Sequence, residues 1–227
     1  MCSKVYHGLS EERVFVPLTA LSMEAFTRKL ASADPTPGGG SVAAAIGSFG
    51  AGLVRMVALL TANSPKYAAV AQRCMGAAQS ALALTDELLK LVDEDAAAFD
   101  RVSAAYRLSK STDSEKSARS ARIQSALADA IDPPLRVIHA ALQTSELAAE
   151  LVDIGNQNAL SDVGCAALCA QAAAHGGALN VEINASALKD RALARTYAER
   201  MHAELAQVSL LTEVILSKLM RDDGHST

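Results

Sequence analysis

Aromatic residues make up only 4% of this 227-residue chain and tryptophan is absent, although half of the chain is apolar. A core cannot then rest on large rings. It must be built from Ala, Leu, Val and Ile, a composition that favours closely packed helices. Long basic stripes are also missing and the formal charge is −4, which argues against nucleic acid as a partner. The opening MCSKVYHGLSEERVF lacks the apolar centre of a signal peptide, so the expected location is the cytoplasm. Four cysteines, Cys2, Cys74, Cys165 and Cys169, follow no disulfide spacing. Cys165 and Cys169 would need a helper such as His175 to hold a metal, and no metal site is expected. Neither GxxxxGK[ST] nor a GxGxxG after a strand occurs, which removes the two common phosphate-binding loops. No stretch alternates long enough to make a convincing strand, and no clean internal repeat is present.

What is there has helical period, punctuated by a few Gly/Pro clusters. Ser22 is placed to cap a first helix with the stripe Met23, Phe26, Leu30. DPTPGGGS then leads into a segment of small apolar residues from Ser41 to about Ala62, carrying Arg55. Its length would span a bilayer. Its Ala/Gly content and its charge instead predict the central rod of a soluble bundle, apolar all round. Residues 66 to 108 read as one long helix whose stripe includes Leu84, Leu88, Leu91, Asp95, Phe99 and Val102. Thr112 and Glu115 form a candidate capping box for a helix to about Ile131. Pro133 and Pro134 open the next, which ends at Gly155. A second small-residue helix is expected over 160–175, ending at Gly176 and Gly177, and a last amphipathic helix over 186–220. The expected fold is all-α, a helical bundle with two Gly/Ala-rich central helices.

Three features stand out as chemistry. Asp95 lies on an apolar stripe, and a buried carboxyl is costly unless it has a partner or a task. A salt bridge to Arg55 or another cation is the plain alternative, and its neighbours Asp93 and Glu94 read as solvated charge. In GNQNALSDVGCAA, Asn156, Asn158, Ser161 and Asp162 are compact polar groups at the entry to an otherwise small and apolar helix. Capping by Asn158 or Ser161 explains one or two of them. Asn180 and Asn184 follow the glycines, on a loop by this reading. Gly38 to Gly40 permit close backbone approach before a helix start whose N–H groups are free. His139 and His175 belong to no nucleophile motif and read as structural. Two carboxylates with several Asn and Ser groups suit acid/base work on a neutral or cationic carbon.

The motifs PTPGGGSVAA, LVDEDAAAFDRV, SKSTDSEKSAR, GNQNALSDVGCAA and LNVEINA, in this order, resemble the cyclodeaminase/cyclohydrolase family of folate one-carbon metabolism. That family includes the cyclodeaminase part of formiminotransferase-cyclodeaminase and the stand-alone methenyltetrahydrofolate cyclohydrolases. The likeness runs from about Leu21 to Leu219, leaving residues 1–20 as an N-terminal extension, 21–220 as the helical domain and 221–227 as a flexible tail. It implies a homodimer with a folate substrate bound at the subunit interface, no cofactor, and neither a membrane nor a nucleic-acid partner. Carried over residue by residue, it implies Asp95 and Asp162 as catalytic groups, one moving protons and the other stabilising the cation. It further implies Pro37, Gly38, Gly39, Gly40, Ser41, Lys110, Asn156, Asn158, Ser161, Asn180 and Asn184 as substrate-binding residues. By charge alone Arg55, Lys66 and Lys110 are candidates for the glutamate tail. Ser109 stands where family members often have Pro, which bears on the loop before Lys110. Cyclohydrolase is the expected activity, because no formiminotransferase domain is fused. Cyclodeaminase is the alternative, and a non-catalytic folate-binding or scaffold dimer the second.

Overall fold

The computed structural model describes residues 16–222. Residues 1–15 and the tail at 223–227, and so most of the expected extension, lie outside the described residues. Within them, seven α-helices and no strand occur: α1 (Met23–Leu30), α2 (Gly39–Ala62), α3 (Ala71–Tyr106), α4 (Asp113–Asp129), α5 (Asp132–Ile154), α6 (Leu160–Ser186) and α7 (Arg191–Asp222). The all-α expectation holds for these residues.

Local chemistry sets many of the helix ends. The Ser22 hydroxyl accepts from Ala25 N–H and starts α1. Thr112 and Glu115 form the reciprocal capping box of α4, a device that satisfies two otherwise unpaired amides. Ser109 donates to the same Glu115 carboxylate at 2.8 Å, so the residue that replaces Pro fastens the loop before Lys110. Residues 66–70 are a separate 3-10 turn, Pro65–Val70, and the long helix begins only at Ala71.

Small residues let α2 and α6 lie antiparallel in close contact. A Cβ at Gly47 would sit 3.2 Å from that of Ala173, one at Gly50 3.0 Å from the Ala166 carbonyl, and one at Gly176 2.9 Å from Ala43. Gly177 is pressed equally against α5, where a Cβ would come within 2.9 Å of Ile138. These contacts correct the expected end of α6. Gly176 and Gly177 are packing residues inside a helix that continues to Ser186, because removing the side chains offsets the helix-propensity cost of glycine, about 1 kcal/mol. Asn180 and Asn184 are therefore helical and not on a loop. Around this pair, Leu88, Leu91, Ile138, Leu151, Met201, Val208 and Ile215 are fully buried. Gly39–Ala62 is long and apolar enough for a bilayer by composition, yet half of its most apolar window is buried inside the bundle.

Asp93 and Glu94 differ from their reading as idle surface charge. Asp93 accepts from Leu18 N–H at 2.6 Å and Thr19 Oγ1 at 2.9 Å, holding the turn Leu18–Ala20 on α3. Glu94 pairs with Arg136 at 2.6 Å, and Arg136 also pairs with Glu87, which ties α3 to α5.

Candidate active site

The N-terminus of α2 opens onto a cavity of about 410 Å³ between α3, α4 and α6. Its floor is Gly38 to Gly40, and one wall is the face of α3 that carries Asp95, Phe99, Val102 and Tyr106. Asn180 and Asn184 form the opposite wall, one helical turn apart. Of the lining side chains, Asp95 alone is a carboxylate and none is a Lys, Arg or His.

Asp95 is held from below. Ser41 Oγ lies 3.0 Å from Asp95 Oδ2. A Cβ on Gly40 would fall 2.1 Å from Asp95 Oδ1, so glycine at 40 is what leaves room for the carboxyl against the start of α2. Burial pushes the Asp95 carboxyl above its ordinary value of 3.8, and the hydroxyl and backbone N–H of Ser41 offset this only in part. A carboxyl tuned in this direction moves protons more readily near neutrality than an exposed one does.

The two asparagines have fixed orientations. Asn180 Nδ2 donates to the Gly176 carbonyl at 2.8 Å and Asn184 Nδ2 to the Ala130 carbonyl at 3.1 Å. Those carbonyls are acceptors only, so each amide must present Nδ2 to them, which leaves its Oδ1 as the group for a ligand donor. Opposite, Phe99 and Tyr106 are 45% and 50% exposed, large ring surfaces turned to the opening. Arg119 stacks 5.7 Å from the Tyr106 ring and donates to its carbonyl. A planar, hydrogen-bonding heterocycle fits these walls: rings to stack on one side and acceptors on the other.

Several expected site residues fall elsewhere. Ser41 is fully buried and reaches Asp95 rather than the cavity. Pro37 is buried in the turn, and Pro35 and Thr36 line the cavity in its place. Lys110 is exposed in the loop before α4, outside the lining. Among the described residues Asp95 forms no salt bridge, to Arg55 or to any other cation. Arg55 is fourteen residues beyond Ser41, about 21 Å along α2, and lines a separate cavity with Gln72, Met75 and Gln79. Lys66 stacks 5.3 Å over Tyr67.

Asn156, Asn158, Ser161 and Asp162 lie at the other end of α6, about 27 Å along its axis from Asn180. Neither Asn158 nor Ser161 caps α6; instead Asn156 Oδ1 accepts from Asn158 N–H and caps the 3-10 turn Gln157–Ala159. Asn156 N–H donates to Thr61 Oγ1 and Gln157 N–H to the Tyr67 hydroxyl, closing the corner between α5 and α6. Ser161 is exposed and Asp162 half-buried in the first turn. Within one protomer the two polar sets are therefore separate. Among the described residues no group of three or more His, Cys, Asp or Glu is gathered as a metal site.

The aromatic wall is not evident from the sequence. Phe99 and Val102 belong to the apolar stripe of the long helix, and Tyr106 carries no signal of its own. The spacing 95, 99, 102, 106 places all four on one helical face, and Asp95 on that face marks it as the wall of a cavity.

Residues 22–203 match the family model described as formiminotransferase-cyclodeaminase. A methenyltetrahydrofolate cyclohydrolase of Methylorubrum extorquens is 41% identical over 86% of this chain and 93% of that protein. A formimidoyltransferase-cyclodeaminase of Rattus norvegicus is 30% identical over 87% of this chain but only 37% of its own length. The chain thus spans a little over a third of that bifunctional relative. Among solved structures, the formiminotetrahydrofolate cyclodeaminase of Thermotoga maritima aligns with a TM-score of 0.80 at 27% identity, covering 88% of this chain and 96% of that one.

Proposed function

The chain belongs to the formiminotransferase-cyclodeaminase family, and we propose that it is a methenyltetrahydrofolate cyclohydrolase, hydrolysing 5,10-methenyl-tetrahydrofolate to formyl-tetrahydrofolate. The observation that carries this reading is its 41% identity to a cyclohydrolase over 93% of that enzyme's length. The cavity supplies a chemistry that agrees with it.

In the substrate a single carbon bridges N5 and N10 as a cation. The carboxylate of Asp95 attracts that cation and takes a proton from the water that attacks the bridging carbon. The product of this step is a neutral carbinolamine with Asp95 protonated. Asp95 then returns its proton to one ring nitrogen as that carbon–nitrogen bond breaks. Loss of the hydroxyl proton to solvent leaves the formyl group. One water is consumed and one proton released. The substrate is already electrophilic, so the step uses no metal or redox group. Phe99 and Tyr106 stack the pterin while the Oδ1 atoms of Asn180 and Asn184 accept from its donors.

The proposed assembly is a cytoplasmic homodimer. Phe49, Met56 and Leu60 on α2, and Leu168, Leu179 and Ile183 on α6, are exposed on the two central helices, and a second copy would cover them. A two-fold antiparallel pairing of α6 centred near Ala172 would set Asp162, Asn158 and Ser161 of one copy beside Asn180 and Asn184 of the other. Asp162 then stabilises the cation from the opposite side to Asp95.

The test is absorbance of purified protein with 5,10-methenyl-tetrahydrofolate, and separately with 5-formimino-tetrahydrofolate, each corrected for spontaneous reaction. Enzyme-dependent loss of the methenyl chromophore is expected. Its appearance from the formimino substrate with ammonia release would make the chain a cyclodeaminase, the reading that the solved relative favours. Background rates in both, from folded protein, would leave only a folate-binding or scaffold role.

A further inference from the structure

Ser41 is the third residue of α2 and wholly buried, so its hydroxyl cannot touch a ligand. That hydroxyl stands between two oxygens, 3.0 Å from Asp95 Oδ2 and 2.9 Å from the Val92 carbonyl. A hydroxyl carries one proton to donate. When Asp95 is ionised both neighbours are acceptors, and only one can be served. When Asp95 carries a proton both contacts become hydrogen bonds, because its O–H donates to Ser41 Oγ and the Ser41 O–H donates to Val92. The Val92 carbonyl lies within α3 and has its place in the helical ladder in either case.

We infer that Ser41 is a positioning residue that serves both protonation states of Asp95, its hydroxyl turning from the carboxylate to the Val92 carbonyl as Asp95 gains a proton. This inference rests on Asp95 being the acid/base group. Its consequence is that the carboxyl need not move between taking a proton from water and giving it to a ring nitrogen. Gly40 completes the device, since a side chain there would displace the carboxyl. No proton is gained or lost by Ser41 over the cycle.

The surroundings leave this control to Ser41. On α2 it is accompanied by Gly40 and Gly39; on α3 the neighbouring acids Asp93 and Glu94 are engaged by Leu18, Thr19 and Arg136. From α4 comes Leu127, and from α6 Asn180, Ile183 and Asn184, all uncharged. Within one protomer Tyr106 is the other titratable group on the cavity wall; in the proposed dimer Asp162 of the second copy faces Asp95 across it, equally in wild type and S41A.

The test follows the Asp95 titration directly, by carbon-13 carboxyl resonance in the unliganded protein, together with the pH profile of kcat, in wild type, S41A and D95N. A bond to a carboxylate is stronger than one to a neutral acid, so S41A should titrate about one pH unit higher. The acid limb of kcat should move the same way and kcat fall about tenfold, with KM changed less than about twofold because Ser41 does not reach substrate. Ser41→Cys, a weaker donor of similar shape, should lie between the two, and carries the same comparison if S41A does not fold. An inactive D95N beside an S41A that titrates and turns over like wild type would overturn the positioning role and leave the acid/base reading standing. A D95N as active as wild type would overturn both.

Discussion

At its C-terminal end α6 sets Asn180 and Asn184 against a cavity that also holds Asp95, whereas at its N-terminal end Asn156 and Asn158 close a backbone corner with Thr61 and Tyr67. The residue types are alike and their partners are not. Asn180 and Asn184 spend their nitrogens on backbone carbonyls and keep an oxygen each for a ligand, while Asn156 spends its oxygen on its own turn. The comparison teaches that a polar cluster gains a binding role through what it has left over after local bonding. At the N-terminal end the side chains of Asn158, Ser161 and Asp162 make no hydrogen bond among the described residues, and they are the groups left over.

The largest effect is expected of Asp95→Asn, in the cavity at the C-terminal end of α6. Turnover should fall by about 10²-fold or more while the fold is kept, as read by single-turnover kinetics. Stability should move the other way. The folded-state pKa of Asp95 is raised, so its contribution is fully present below the unfolded value and is lost as pH rises through the folded one. At pH 7 the variant no longer carries that cost, and its Tm should rise by on the order of 2 °C. A fall in Tm with turnover retained would return Asp95 to a structural role. In the wild type, kcat/KM should drop as pH falls through a value above 3.8. The corresponding limb of kcat should lie lower, because the bound cation favours the carboxylate.

Next in size is a mixing experiment that asks whether the two ends of α6 meet across a dimer. Asp162→Asn should also be impaired, and denaturing and refolding it with Asp95→Asn should restore roughly a quarter of wild-type activity, since half of the randomly formed dimers carry one intact site. Mixed dimers as inactive as their parents would place the two aspartates apart. A smaller effect is expected at the aromatic wall. Phe99→Ala should raise KM about tenfold through lost stacking and alter kcat less, measured by steady-state kinetics. The smallest belongs to the corner: Tyr67→Phe removes the acceptor for Gln157 N–H and should cost about 1 kcal/mol in denaturant unfolding, leaving the activity of folded protein unchanged.

Much of the fold is legible from local signals. Ser22, the Thr112–Glu115 box and Pro133 act within a few residues of themselves, so their helix starts can be read without knowing the rest of the molecule. Gly176 and Gly177 misled for the complementary reason. Their meaning depends on Ala43 and Ile138, far away in the chain, and a glycine that admits a neighbouring helix looks the same in sequence as one that ends its own. The roles of Asp93 and Glu94, and the bond from Ser41 to Asp95, are hidden in the same way, since each takes its partner from another element.

Local sequence alone fixes the all-helical character, the two helices made of small residues, and the presence of a carboxyl at 95 on an otherwise apolar face. Periodicity and capping are short-range, and composition limits what a core can be made of. Tertiary packing brings α2 against α6, sets Ser41 rather than Arg55 on Asp95, makes Phe99 and Tyr106 the wall of a cavity, and holds the two polar ends of one helix about 27 Å apart. Those outcomes depend on which helix faces which, and close packing fixes that over the whole chain at once.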